Sequence, residues 1–191
     1  ATGGIKAMTM ALISSGVGAL VVAVGALIGG IGGLINKSMA FQKSLSTLRA
    51  VTGATSEDML TLKNLAKELG STTAFTASQV VELQTELAKL GFKTLDISNA
   101  TAAILDLAAS LGVSLAEAAE FSGSLVRSFG LSTQETQRVV DIMAKSTSSS
   151  ALSFSALRES LKLVAPVSKA TNVSIEKTTA LLAVLADRGL K

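Results

Sequence analysis

One junction, repeated along the chain, restricts what this sequence can fold into more than any other feature. Gly112-Val113-Ser114 followed by Glu117, and Gly130-Leu131-Ser132 followed by Glu135, each place a helix-ending glycine, one apolar residue, an N-cap serine and a capping-box glutamate in order. Asn172-Val173-Ser174 is a third version, in which Asn takes the left-handed position and Glu176 stands one place early, where it complements the helix dipole. Such a junction closes one helix and opens the next within three residues, so neighbouring helices are expected to be antiparallel or steeply crossed. Gly70 and Gly91 read as the ends of two earlier helices, with Thr76 and Asp96 as the N-caps that follow. Helix starts are thus expected at Thr76, Asp96, Ser114, Ser132, Ser153 and Ser174, spaced by 20, 18, 18, 21 and 21 residues.

Between these starts the apolar residues keep helical spacing. Leu115, Ala118, Ala119, Ser122, Leu125, Val126 and Phe129 form one stripe, and Ala100, Ile104, Leu107, Ala108 and Leu111 another. The intervals are too uneven, and the side chains too dissimilar, for a solenoid repeat. The expected fold class is all-α: a compact multi-helix domain, residues 38–191, preceded by a Gly-rich apolar helix. The last helix, expected from Ile175 to Gly189, carries Leu181, Leu182, Val184 and Leu185 almost all round, which suits a central position or packing against further chain. Pro166, the single proline, is expected to kink or end its helix. The run Ser146-Thr147-Ser148-Ser149-Ser150 reads as a mobile connector and internal hinge, because its hydroxyls compete for backbone groups.

Mean hydropathy is high, at +0.52, and much of it comes from residues 7–36, thirty positions without a charge between Lys6 and Lys37. Leu12 to Ile35 is long enough to cross a bilayer. Its glycines would weaken a helix in water, yet Gly25, Gly29 and Gly33 recur every four residues along one face, the small-residue spacing that lets helices approach closely. A membrane-spanning or self-associating helix and a buried Gly-rich helix with no membrane role both remain open for residues 1–37. The apolar run exceeds a typical signal-peptide h-region, and the opening Ala1 in place of Met points to a piece of a longer polypeptide.

Chemistry is sparse. The 191 residues include no Cys, His, Trp or Tyr, which removes thiolate nucleophiles, imidazole bases, disulfides and the usual zinc ligands. Carboxylates pair at Glu57 and Asp58, Glu82 and Glu86, and Glu117 and Glu120, but Lys89 balances Glu86 and Glu117 belongs to a capping box. Structural roles explain them, so no catalytic residue, metal or cofactor is expected. No phosphate-binding glycine loop is present, and Lys and Arg are neither clustered nor interleaved with aromatics, so no sequence-specific nucleic-acid binding is expected. Lys37, Lys43 and Arg49 suit a solvated helix face or the flank of a membrane span.

The wording of the body is more informative. Phe41-Gln42-Lys43-Ser44-Leu45, Val51-Thr52-Gly53-Ala54-Thr55 and Leu69-Gly70-Ser71-Thr72-Thr73-Ala74-Phe75-Thr76-Ala77-Ser78 resemble the core region of phage tail tape measure proteins. Leu87-Ala88-Lys89-Leu90-Gly91-Phe92, Phe129-Gly130-Leu131-Ser132, Val164-Ala165-Pro166-Val167 and Ser174-Ile175-Glu176 follow in that family's order. The landmarks are Phe41, Gly53, Gly70, Phe75, Gly91, Phe92, Gly130, Ser132 and Pro166, all structural. The serine run at Ser146 to Ser150 and Lys89 depart from the pattern, and touch local packing only. The resemblance implies a structural virion protein, not an enzyme. It would occupy the tail tube lumen, take part in assembly and length determination, and be ejected ahead of the genome. Its implied partners are further copies of itself, tail tube and tail tip proteins and the host membrane; its implied locations are the tail lumen and, during assembly, the host cytoplasm. Two other classes fit the residues: a membrane-inserting or pore-forming helical protein not linked to a tail, and a soluble adaptor that binds a partner in a helix groove.

Overall fold

The computed structural model describes residues 38–189. The chain divides into two compact units, residues 1–43 and 44–191, of which the second is the helical body. The described residues form eight α-helices and one 3₁₀ turn, with no strand among them. In chain order they are α1 (38–52), α2 (Ser56–Thr72), α3 (Ala77–Lys89), α4 (Thr94–Leu111), α5 (Leu115–Phe129), the 3₁₀ turn Thr133–Glu135, α6 (Thr136–Ser148), α7 (Phe154–Ala170) and α8 (Ile175–Asp187).

Capping chemistry sets these boundaries. Thr76, Ser114, Ser153 and Ser174 each accept a hydrogen bond from a backbone N–H of the following first turn. In α3 and α5 the bond is reciprocated by Gln79 and Glu117, so that two orphan donors are satisfied together. Gly112 and Gly130 adopt φ of +64° and +69°, and Asn172 adopts +55°, the left-handed turn that the sequence pattern requires.

α4 is the hub of the bundle and packs against α2, α3, α5 and α6. Ile97, Ala100, Ile104, Leu105, Leu107 and Ala108 are buried along it. α3 contributes Val80, Val81, Leu83 and Leu87, and α5 contributes the expected stripe from Ala118 to Val126. Burying one such Leu or Val stabilises by about 1.5 to 3 kcal/mol, so this shared core outweighs any single cap. Phe121 on α5 meets Phe154 on α7 edge to face, with ring centroids 5.2 Å apart, an arrangement contributing about 0.5 to 1.5 kcal/mol beyond burial.

Several expectations are corrected. α2 does not end at Gly70 but continues to Thr72. The glycine is needed for space, because a Cβ there would lie 2.5 Å from the backbone nitrogen of Ala77 where α3 begins. Asp96 is not an N-cap: α4 starts at Thr94, and Asp96 in its first turn reaches back to the N–H of Lys93 at 3.3 Å while accepting from the Thr133 hydroxyl. A carboxylate in the first turn serves the same orphan donors as one at the cap, and local sequence does not separate the two. Ser132 does cap, but the element it opens begins as a single 3₁₀ turn.

The serine run is no loose connector. Ser146, Thr147 and Ser148 belong to α6, and Ser146, Thr147, Ser149 and Ser150 donate to carbonyls four residues back. Pro166 does not end its helix either, since α7 runs four residues past it. Both Pro166 and Lys162, whose carbonyl loses its helical donor, are exposed, so water replaces the missing bond. α8 stops at Asp187, and of its two expected placements the central one is overturned, because Leu181, Val184 and Leu185 are exposed.

These assignments separate a cap from a close approach. Ser114→Ala should lower unfolding free energy by about 1 kcal/mol, and Gly70→Ala by about 1 to 3 kcal/mol as overpacking against backbone. Urea denaturation followed by circular dichroism measures both. Equal stability of Gly70→Ala and wild type would refute the close α2–α3 approach.

Candidate interaction surface

The last three helices build a groove on the bundle surface. Arg138, in the first turn of α6, donates from Nε to Glu176 in the first turn of α8 at 2.7 Å, and its guanidinium also reaches Glu135. Just beyond the end of α6, the N–H of Ala151 donates to Asp187 at the end of α8, also at 2.7 Å. Start is tied to start and end to end, so α6 and α8 run parallel, with α7 as the returning helix. α7 is joined to α8 inside the protein, where the Thr178 hydroxyl donates to Ser168 at 3.0 Å.

Between the two ties lies a groove of about 710 Å³. Ile142, Ser146, Thr179, Ala180, Ala183 and Val184 supply much of its lining. The hydroxyls of Ser146 and Thr179 are already committed to the Ile142 and Ile175 carbonyls, so the surface they present is effectively apolar. Charge sits at the rim, as Asp141 and Glu176 near one end, Lys145 between, and Asp187 at the other. Beside the groove α8 leaves Leu181, Val184 and Leu185 exposed to 63%, 56% and 45%.

The electrostatics reinforce the clasp. Hydrogen bonding to Arg138 holds the Glu176 carboxyl down to about 2, and the same contact raises the Arg138 guanidinium. Elsewhere the Ser114 hydroxyl and N–H lower Glu117, and Lys162 lowers Glu159. Each is a carboxylate kept ionised by a cap or an ion pair, not an acid or base set near neutrality. Among the described residues no group of three or more acidic side chains is arranged to hold a metal ion. The arrangement can receive an apolar surface and position charges at its ends.

The family landmarks are dispersed through the fold. Gly53 and Gly91, at φ of +62° and +85°, follow α1 and α3. Phe92 is buried behind Gly91, and Phe41 and Phe75 are half-buried. Gly130 and Ser132 make the turn before α6, Gly70 and Pro166 lie within helices, and none of these residues lines the groove. Gly25, Gly29 and Gly33 lie outside the described residues. Of the carboxylate pairs, Glu86 binds Lys89 at 2.8 Å, and Glu117 serves its cap. The groove itself was missed by sequence reasoning. Its available signal was the all-round apolar α8 beside a serine run that the fold converts into a wall.

The described residues form an all-α bundle with a largely apolar groove between α6 and α8. The chain belongs to the family of phage-related minor tail proteins, which residues 63–191 match. It is similar to the tape measure protein of Pneumococcus phage Dp-1, at 35% identity over 151 residues, covering 79% of this chain and 13% of that protein. It is also similar to a probable tape measure protein of Escherichia phage P2, at 30% identity over 156 residues, 81% of this chain and 19% of the relative. The chain therefore spans less than a fifth of either relative. No solved structure matches it.

The clasp has a defined acid limit. Because Glu176 is held below its ordinary value near 4.3, its contribution to stability is full above about pH 5 and is lost as pH falls through about 2. Denaturation midpoints measured across that range should fall less steeply for Glu176→Gln than for wild type. Identical slopes would show that the ion pair does not bind α6 to α8 in solution.

Proposed function

We propose that this chain is a folded assembly module of a phage tail tape measure protein, a structural virion component acting in the tail tube lumen. The supporting observation is similarity across about four-fifths of the chain to two proteins of that name. Geometry favours one part of that task over another. Its longest described helix is α4, with 18 residues, a reach of about 27 Å at 1.5 Å per residue. Seven tight junctions turn the described helices back on one another, so this segment is not a ruler, and length information resides in other parts of the parent protein. The module's part is to join tail components during assembly in the host cytoplasm: further copies of itself, the tail tube and the tail tip.

On infection the protein leaves ahead of the genome, and the uncharged segment 7–36, whose sequence repeats glycine every four residues at Gly25, Gly29 and Gly33, serves close helix association or contact with the host membrane. No single helix among the described residues is long and apolar enough to cross a membrane. The α4–α5 pair, bent by 120°, has the composition of a broken span, but its apolar residues form the core described above.

Quantitative mass spectrometry of purified particles, before and after triggered DNA release, tests this reading through peptides between Ser44 and Arg158. Peptides should be present in intact particles and depleted after release. Retention after release would remove ejection from the proposal, and absence from particles would overturn it.

A further inference from the structure

α2 is held to the bundle by less than its length suggests. Of its 17 residues only Met59, Leu62 and Ala66 are buried, whereas α4, with 18, buries eight. Leu65 and Leu69 are half-buried, and Leu60 is exposed. Of the helices from α3 to α8, α2 packs on α3 and α4. Its charged side chains Lys63, Lys67 and Glu68 make no ion pair among the described residues. α8 also buries few residues, but polar ties fix it at Arg138, Ala151 and Ser168. Among the described residues one side-chain hydrogen bond joins α2 to α3.

That bond comes from Gln84, which has no exposed surface. Its Nε2 donates to the Leu62 carbonyl at 3.1 Å, while its Oε1 is buried without a partner. The Leu62 carbonyl lies within α2, where it also serves the N–H four residues on. An unpaired buried amide oxygen costs free energy in the closed arrangement, and the cost is removed once water reaches it. The contact between α2 and α3 is therefore weakened from inside. When α2 is away, the same residue offers water a polar group where an apolar one would be costly to expose.

We infer that α2 is a releasable strap, which lifts from α3 and α4 while α3 to α8 stay folded, and that Gln84 sets how readily it does so. Such an opening is a sub-global unit of the kind that separates along weakly buried elements. It uncovers Gln84 together with Val80, one turn earlier on the same side of α3. The core around Ile104 and the groove between α6 and α8 are left intact. This opening does not depend on the tape measure reading.

Native-state hydrogen exchange of the full chain, read by mass spectrometry of peptides from α2 and α4, tests the opening. In the wild type the protection of α2 should be at least about tenfold lower than that of α4. Val139→Ala loosens the core from α6, which packs on α4, α5, α7 and α8 and where Val139 is fully buried. It should speed exchange in α4 by at least about tenfold and leave α2 unchanged, because α2 opens without the core. Gln84→Met, of similar length and without the unpaired oxygen, should slow exchange in α2 by at least about fivefold. Circular dichroism establishes that each variant is folded. Equal protection of α2 and α4, or α2 exchange accelerated by Val139→Ala as much as that of α4, would show that α2 leaves only with the whole bundle and would overturn the strap. Exchange in α2 no slower in folded Gln84→Met would overturn the role given to Gln84.

Discussion

Every helix end leaves backbone donors or acceptors without partners, and this bundle depends on satisfying them within connectors of a few residues. Ser114 and Glu117 do so at the head of α5, and Thr76 and Gln79 at the head of α3. Left-handed Gly112, Gly130 and Asn172 do so at helix ends. Because these polar groups are satisfied locally, the chain can reverse direction repeatedly without burying an unpaired amide. Short, closed junctions confine successive helices to neighbouring positions, and the shared core around α4 then combines its sequence neighbours α3 and α5 with α2 and α6 from further along the chain.

Local closure has a second consequence. Buried Thr85, Thr101 and Thr179 direct their hydroxyls to carbonyls of their own helices, and side-chain hydrogen bonds between helices are fewer. The buried Gln84 amide donating to the Leu62 carbonyl at 3.1 Å is one, and Thr178 to Ser168 is another. The helices are held side by side mainly by apolar packing, with ion pairs such as Arg138–Glu176 at the periphery. Such pairs are weak individually and are screened by salt. Their part here is geometric: Arg138–Glu176 ties the start of α8 to the start of α6, while the Ala151 N–H bonded to Asp187 ties their ends.

Much of the fold was legible because capping is a short-range signal. Thr76, Ser114, Ser153 and Ser174 begin helices as their side chains demand, and the stripe on α5 is buried as its spacing requires. The failures share a cause. Gly70 resembles a helix terminator and proves to be a spacer for Ala77; Asp96 acts from inside the first turn; the serines after Lys145 turn their hydroxyls back onto α6; and Pro166 faces water, where its lost hydrogen bond is cheap. In each case the same residue type suits two local structures, and the choice rests with a neighbour distant along the chain or with solvent.

By itself, the sequence determined the helical class, most helix starts, the absence of cysteine and histidine chemistry and the resemblance to tape measure proteins, because all of these reside in residue identity or in spacing within a few positions. Tertiary structure alone decided that α8 lies at the surface and not at the centre, that α6 and α8 run parallel, and that a serine run becomes one wall of a groove. Those outcomes depend on which faces remain uncovered once α4 has gathered its neighbours. A hydrophobic pattern states how much surface a helix has to bury, but only the packed arrangement determines which part of it stays exposed.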